Sequence, residues 1–157
     1  MTLAFRNVDV SPEDPVRDWP TEAVLTALER GGLSHWRRLA AQIQADPWGP
    51  VSRRVEEALA VSGPYGVTEL MKDVVAAART DAEREERRAV ATEIAALVDQ
   101  SALTKAVFAR RSGTSPSRLS TYLAGTVTPS AALMVRMRRV AERTGGNRST
   151  SFIAGAG

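Results

Sequence analysis

Hydrophobic residues along this chain recur at helical spacing, and strong breakers cut them into short segments. Ala23, Val24, Ala27 and Leu28 form one stripe that begins near Pro20 and stops at Gly31-Gly32, which predicts a first helix. Ser34 stands where the cap of a second helix belongs; Trp36, Leu39, Ala40 and Ile43 lie along that helix, and Asp46-Pro47 ends it. Gly49-Pro50 opens a third, with Val51, Val55, Ala58 and Leu59 on one face and Ser62-Gly63-Pro64 as its stop. A fourth begins around Thr68 and aligns Val67, Leu70, Met71, Val74, Val75 and Ala78. No stretch alternates with period two, so no sheet is predicted.

The segment RTDAEREERR, residues 79–88, changes the picture, because Ala82 is its only apolar residue and it holds neither Gly nor Pro. It reads as an exposed continuous helix or a hinge. A coiled coil through it is excluded, since the apolar seam is missing for about ten residues. The domain boundary is therefore placed here, between a helical domain over 1–78 and a second domain over 89–144.

In the second domain, Val90, Ile94, Leu97 and Val98 mark the buried face of a helix reaching about Gln100. Thr104 then caps the short helix KAVFARRS, Gly113-Thr114 makes a turn, and Ser115-Pro116 opens SRLSTYLA, which ends at Gly125. Two such helices joined by so short a turn form a helix-turn-helix. Ala109 lets the pair cross closely, Gly113 permits a positive φ, and Leu119 plugs the core, with Phe108, Tyr122 and Leu123 completing the contact. Pro129, capped by Thr128, is expected to open a last helix that buries Leu133, Met134, Met137 and Val140. The tail over 145–157, GGNRSTSFIAGAG, lacks periodicity and is expected to be flexible. Its apolar pair Phe152-Ile153 fits either a frayed end or a groove on a second subunit.

The stretch LTKAVFARRSGTSPSRLSTYLAGTVTPSAALMVRMRRVAE resembles the DNA-binding domain of the xenobiotic-response-element (XRE) or phage lambda repressor type, a bundle of about five helices. Leu103-Thr104, Ala109, Gly113, Ser115 and Gly125 carry the likeness, and Lys105 departs from it where the family usually has Gln. The helical pattern of residues 1–78 and this resemblance together predict an all-α protein, a small helical N-terminal domain plus a repressor-type helix-turn-helix bundle, and the resemblance implies that the bundle binds double-stranded DNA as a sequence-specific transcriptional regulator. With the helix over 115–124 in the major groove, removal of Leu119, Tyr122 and Leu123 leaves Ser117, Arg118, Ser120 and Thr121 to reach bases. Arg118 is the strongest candidate, because a guanidinium can bind guanine O6 and N7 together. Thr104, Lys105, Ser115, Thr126, Thr128, Arg136 and Arg139 are the candidates for contacts to the DNA backbone, with a solvated face the competing and favoured reading for Arg136 and Arg139.

Charge supports a polyanion partner at the C-terminal end. The net charge over the 157 residues is only +3, but residues 1–80 carry nine Lys/Arg against eleven Asp/Glu, whereas residues 101–157 carry nine Lys/Arg against Glu142 alone. The absence of cysteine removes disulfides and thiolate chemistry. His35 is the one histidine and reads as part of a helix start, which excludes a His-based metal site by count. No phosphate-binding glycine loop or nucleophile elbow is present. The carboxylate pairs Glu13-Asp14 and Glu56-Glu57 read as solvated acids. No enzyme activity, metal or cofactor is expected. No apolar run is long enough to span a bilayer, and the N-terminus lacks the apolar stretch of a signal peptide, so a cytoplasmic location without membrane attachment is expected.

The first half holds Trp19, Trp36 and Trp48 with Phe5 and Tyr65, which are expected to be mostly core. The stretches WPTEAVLTALERGG and DPWGPVSRRVEEAL resemble the N-terminal segments of actinobacterial regulators, a likeness that implies no particular activity. Two roles fit this half. One is dimerisation that sets half-site spacing, and the other is binding of a protein partner such as a toxin, since many proteins of the resembled family are autoregulating antitoxins. A small-molecule-sensing regulator, or a protein-interaction module that does not bind DNA, is the competing reading.

Overall fold

The computed structural model describes residues 2–63 and 65–151. It is all-α: among the described residues there are seven α-helices, one short 3-10 turn and no strands. The helices are α1 (Thr21–Arg30), α2 (Leu33–Ala45), α3 (Pro50–Val61), α4 (Val67–Ser101), α5 (Lys105–Ser112), α6 (Pro116–Leu123) and α7 (Ala131–Ser151). The chain divides into two compact units, residues 1–82 and 83–157.

Unit 1 is built around Trp19, which is fully buried. Its indole N–H donates to the Asp14 carbonyl at 3.1 Å, Phe5 meets its ring edge-on at 5.1 Å, and the Arg38 guanidinium lies 5.0 Å from the ring centroid. Arg38 also donates to the carbonyls of Pro12 and Asp14, so one α2 side chain pins the segment that precedes α1. The predicted stripes of α1 and α3 are buried, with Val24, Ala27, Val55 and Ala58 fully enclosed. Trp36 donates to the Ala27 carbonyl at 3.1 Å and ties α2 to α1. Arg79 grips Glu56 with both terminal nitrogens and donates to the Pro47 carbonyl, fastening the first half of α4 to α3 and the turn before it.

Several sequence expectations for unit 1 change. Gly32, not Ser34, occupies the N-cap of α2, and its N–H donates to His35 Nδ1 at 3.2 Å, so the histidine closes its own helix start. Leu70, expected in the buried stripe, is 47% exposed, because the stripe narrows to Val67, Met71, Val75 and Ala78. Trp48 and Tyr65 are also exposed rather than core, whereas Trp36 and Phe5 pack partly buried on the cluster.

Residues 79–88 are helical within α4. Good helix formers without Gly or Pro keep the backbone bonded there, and exposed pairs such as Arg88–Glu85 line its surface. In unit 2 the last part of α4 contributes Ile94 and Val98 to a core with Phe108, Ala109, Leu119, Tyr122, Leu133, Met134 and Met137. The last helix begins two residues later than expected. Ser130, not Thr128, caps it by accepting the Leu133 N–H at 3.2 Å, and Pro129 lies outside. That helix also continues through Gly145-Gly146 to Ser151, where no helix was expected. Gly145 sits close to α4, where an added Cβ would come within 3.3 Å of the Gln100 carbonyl oxygen. The pair Phe152-Ile153 lies outside the described residues.

The junction between α4 and α5 holds a strained residue. Ala102 has φ +57°, a left-handed conformation that costs a non-glycine residue about 1–2 kcal/mol. Ser101 supports it by donating to the Val98 carbonyl and accepting from the Leu103 N–H. Ala102→Gly is therefore expected to stabilise the fold by about 0.5–1 kcal/mol, net of the greater unfolded-state freedom of glycine. Amide exchange of the buried Phe108 and Leu119 checks this, and faster exchange in the variant would contradict it.

Candidate nucleic-acid interface

The α5–α6 pair owes its geometry to caps at both ends of each helix. Thr104 accepts the Val107 N–H through its hydroxyl oxygen at 3.3 Å and starts α5. At the far end Gly113 takes φ +81°, its N–H donates to the Arg110 carbonyl, and the Thr114 N–H donates to the Ala109 carbonyl at 3.0 Å. These two bonds make the paired glycine stop that ends a helix and reverses the chain. Ser115 then accepts the Arg118 N–H at 3.1 Å, and Pro116 follows in the first turn of α6, where its missing N–H costs nothing. The same stop recurs after α6. Gly125 takes φ +70°, with its N–H on the Tyr122 carbonyl and the Thr126 N–H on that of Thr121.

Between the two stops α6 has one buried edge and one free edge. Leu119 is fully buried and Tyr122 nearly so, while Ser117, Arg118, Ser120 and Thr121 are all exposed. The Thr121 hydroxyl donates to the Arg118 carbonyl at 2.7 Å, which commits its proton and leaves its oxygen lone pairs and methyl group. Ser115 is exposed at the head of this edge.

Of the other candidates, the structure brings Arg136 onto the turn, with Nη1 3.0 Å from where a Cβ on Gly113 would stand. Thr126 and Thr128 are exposed in the loop after Gly125, and Arg139 is exposed further along α7. Lys105 is exposed at the opposite end of α5 from the turn, beside Thr104, whose hydroxyl oxygen is engaged as a cap. Arg138 is set apart from its neighbours, because Glu93 accepts from its Nε at 2.7 Å and that bond holds the guanidinium still more firmly protonated. No such carboxylate partner faces Arg110, Arg118 or Arg136 among the described residues.

Sequence reasoning missed two residues here. Arg110 and Thr114 line an open concavity together with Gly113, Ser115, Pro116 and Arg118. Arg110 read as the body of α5 and Thr114 as plain turn, yet the glycine stop folds both towards the head of α6. The same stop leaves a cost next to it. The Ser112 hydroxyl is buried with no hydrogen-bond partner, a group that native cores rarely leave unsatisfied.

Among the described residues no three His, Asp or Glu side chains gather to hold a metal, and no helix is long and apolar enough to cross a membrane. His35 already uses Nδ1 as an acceptor for its helix start. No family model, curated protein or solved structure matches this chain.

Gly113→Ala is expected to destabilise unit 2 by at least about 1 kcal/mol, since the left-handed φ disfavours a side chain and Arg136 must also move. Thermal unfolding followed by amide exchange in α5 and α6 measures this, and an unchanged unit 2 would show that the turn tolerates a Cβ.

Proposed function

We propose that the protein is a sequence-specific DNA-binding transcriptional regulator that presents α6 to the major groove. The observation that carries the reading is the free edge of α6: Ser117, Arg118, Ser120 and Thr121 are exposed between two glycine stops while Leu119 and Tyr122 anchor the opposite edge. An α-helix fits the major groove, and a helix held only by one edge offers the other to base edges. Arg118 is suited to guanine, and the hydroxyl-bearing residues suit neighbouring bases or phosphates. Exposed Lys105, Arg136 and Arg139 suit phosphates, as do the hydroxyls of Ser115, Thr126 and Thr128. The likeness of residues 103–129 to the XRE and phage lambda repressor pattern supports the same reading. No catalytic step is assigned.

Such proteins commonly bind as two-fold dimers, in which case half-sites lie about 10 base pairs apart or a multiple of that. A second reading gives unit 1 to a protein partner, such as a toxin in an autoregulating antitoxin. It is favoured by the exposed Val61, Tyr65 and Leu70 near the start of α4. The two readings are compatible, since they use different units.

Titration of the full chain against the duplex upstream of its own gene, at two salt concentrations, tests the DNA reading. Binding is expected to weaken steeply with salt through counterion release. Arg118→Ala should cost about 1–3 kcal/mol on the preferred sequence and relax discrimination at one base pair. Arg139→Ala should weaken all sequences alike. Absent or salt-insensitive binding contradicts the reading, and identical losses for both variants on every sequence remove the base contact assigned to Arg118.

A further inference from the structure

We propose that the concavity at the α5–α6 turn seats one phosphate group, held by Arg110 and Arg136 with the hydroxyls of Thr114 and Ser115. The inference rests on the DNA reading above and deepens it by naming the phosphate contact that fixes the register of Arg118.

Three observations converge on this place. First, two guanidinium groups without a carboxylate partner come to the turn from different helices, one on the lining of the concavity and one against the glycine that lines it. Arg110 on α5 lines the concavity, and Arg136 on α7 lies against Gly113. Neither has a carboxylate partner among the described residues, although Arg138, two residues from Arg136, is neutralised by Glu93. Leaving these two cations uncompensated while pairing the one beside them concentrates positive potential at the turn.

Second, Gly113 supplies the floor. With no Cβ it lets the Arg136 guanidinium rest on the turn, whereas an alanine there would put a methyl 3.0 Å from Nη1. The glycine thus serves both the left-handed backbone and the approach of the arginine.

Third, the polar groups around the floor are donors. The Ser115 oxygen accepts the Arg118 N–H and keeps its own proton to give outward. Thr114 is half-buried on the lining and carries a second hydroxyl. The helix terminus offers only the Ser117 N–H, because Ser115 has satisfied the Arg118 N–H and Pro116 has none. Guanidinium and hydroxyl donors around an open, cationic hollow are the recognition set of a phosphate oxyanion, and arginine suits it by its forked geometry. Arg118 lines the same hollow, so a phosphate seated here sets where that side chain meets the adjacent bases.

Arg111 provides an internal control. It follows Arg110 directly, yet it lines a separate depression with Val140, Arg143 and Thr144.

The test places a single uncharged methylphosphonate at each position of a bound duplex in turn, with the full chain and its variants. For the wild type, one position in each half-site should cost about tenfold in affinity, the size of a lost charge-assisted hydrogen bond. The Arg110→Ala/Arg136→Ala double variant should lose about tenfold on the natural duplex, lower the salt slope by about 0.9, and lose nothing more at that position, while each single variant should show a smaller loss and keep part of the sensitivity. Arg111→Ala should keep the wild-type profile. Both seat residues are exposed, and a retained amide spectrum verifies that the variants fold. If the double variant binds duplex but stays fully sensitive to the same methylphosphonate, the seat is overturned and the DNA reading stands. If the wild type binds no duplex, the DNA reading falls. Inorganic phosphate is then titrated against chloride at equal ionic strength. Amide shifts at Gly113, Thr114 and Ser115, lost in Arg136→Ala, retain a seat for free phosphate, and their absence overturns it.

Discussion

The backbone must turn left-handed twice within a short stretch, at Gly113 and again at Gly125, and the organisation of the C-terminal unit follows from that constraint. The first stop releases α5 and aims α6; the second ends α6 before its free edge can run into the next helix. Between them Leu119 and Tyr122 hold the helix to Phe108, Ala109 and the α7 methionines. A fully buried Leu side chain contributes about 1.5–3 kcal/mol, so this anchoring matters out of proportion to the length of α6. Eight residues would not remain helical alone in water. Packing on one edge is therefore what makes the other edge available.

Three arginines of unit 1 are tied into its fold. In unit 1 Arg38 lies on Trp19 and grips two carbonyls, Arg54 reaches the carbonyls of Arg17 and Trp19, and Arg79 is locked to Glu56. These cations serve the fold. In unit 2 Arg138 is tied to Glu93, but Arg110, Arg118 and Arg136 are left unpaired around one turn. Cations gathered without a carboxylate partner repel one another, and a polyanion relieves that repulsion.

Much of this was legible in the sequence because burial in a helix repeats every three or four residues. The stripes of α1 and α3, the breakers between them, and the alternation of Leu119 and Tyr122 with Ser117, Arg118, Ser120 and Thr121 all follow that rule. What was not legible depended on neighbours distant in sequence or on competing local groups. Ser34 looked like a cap, but the ring nitrogen of His35 served the backbone N–H of Gly32 instead. Thr128 yielded to Ser130 in the same way. The helix through Gly145-Gly146 runs against propensity where α7 approaches Gln100 on α4, a tertiary contact that no local pattern carries. Arg136 on Gly113 is a tertiary placement too, which is why the hollow at the turn could not be read from spacing.

The free edge of α6 is the surface proposed to read DNA bases. Selection of the full chain and of its Arg118→Ala variant against a pool of random duplexes, followed by sequencing, tests it most directly. The wild type is expected to enrich one motif with an invariant guanine, and the variant to lose preference at that position alone. A pool that fails to converge, or a variant that enriches the same motif unchanged, would contradict it.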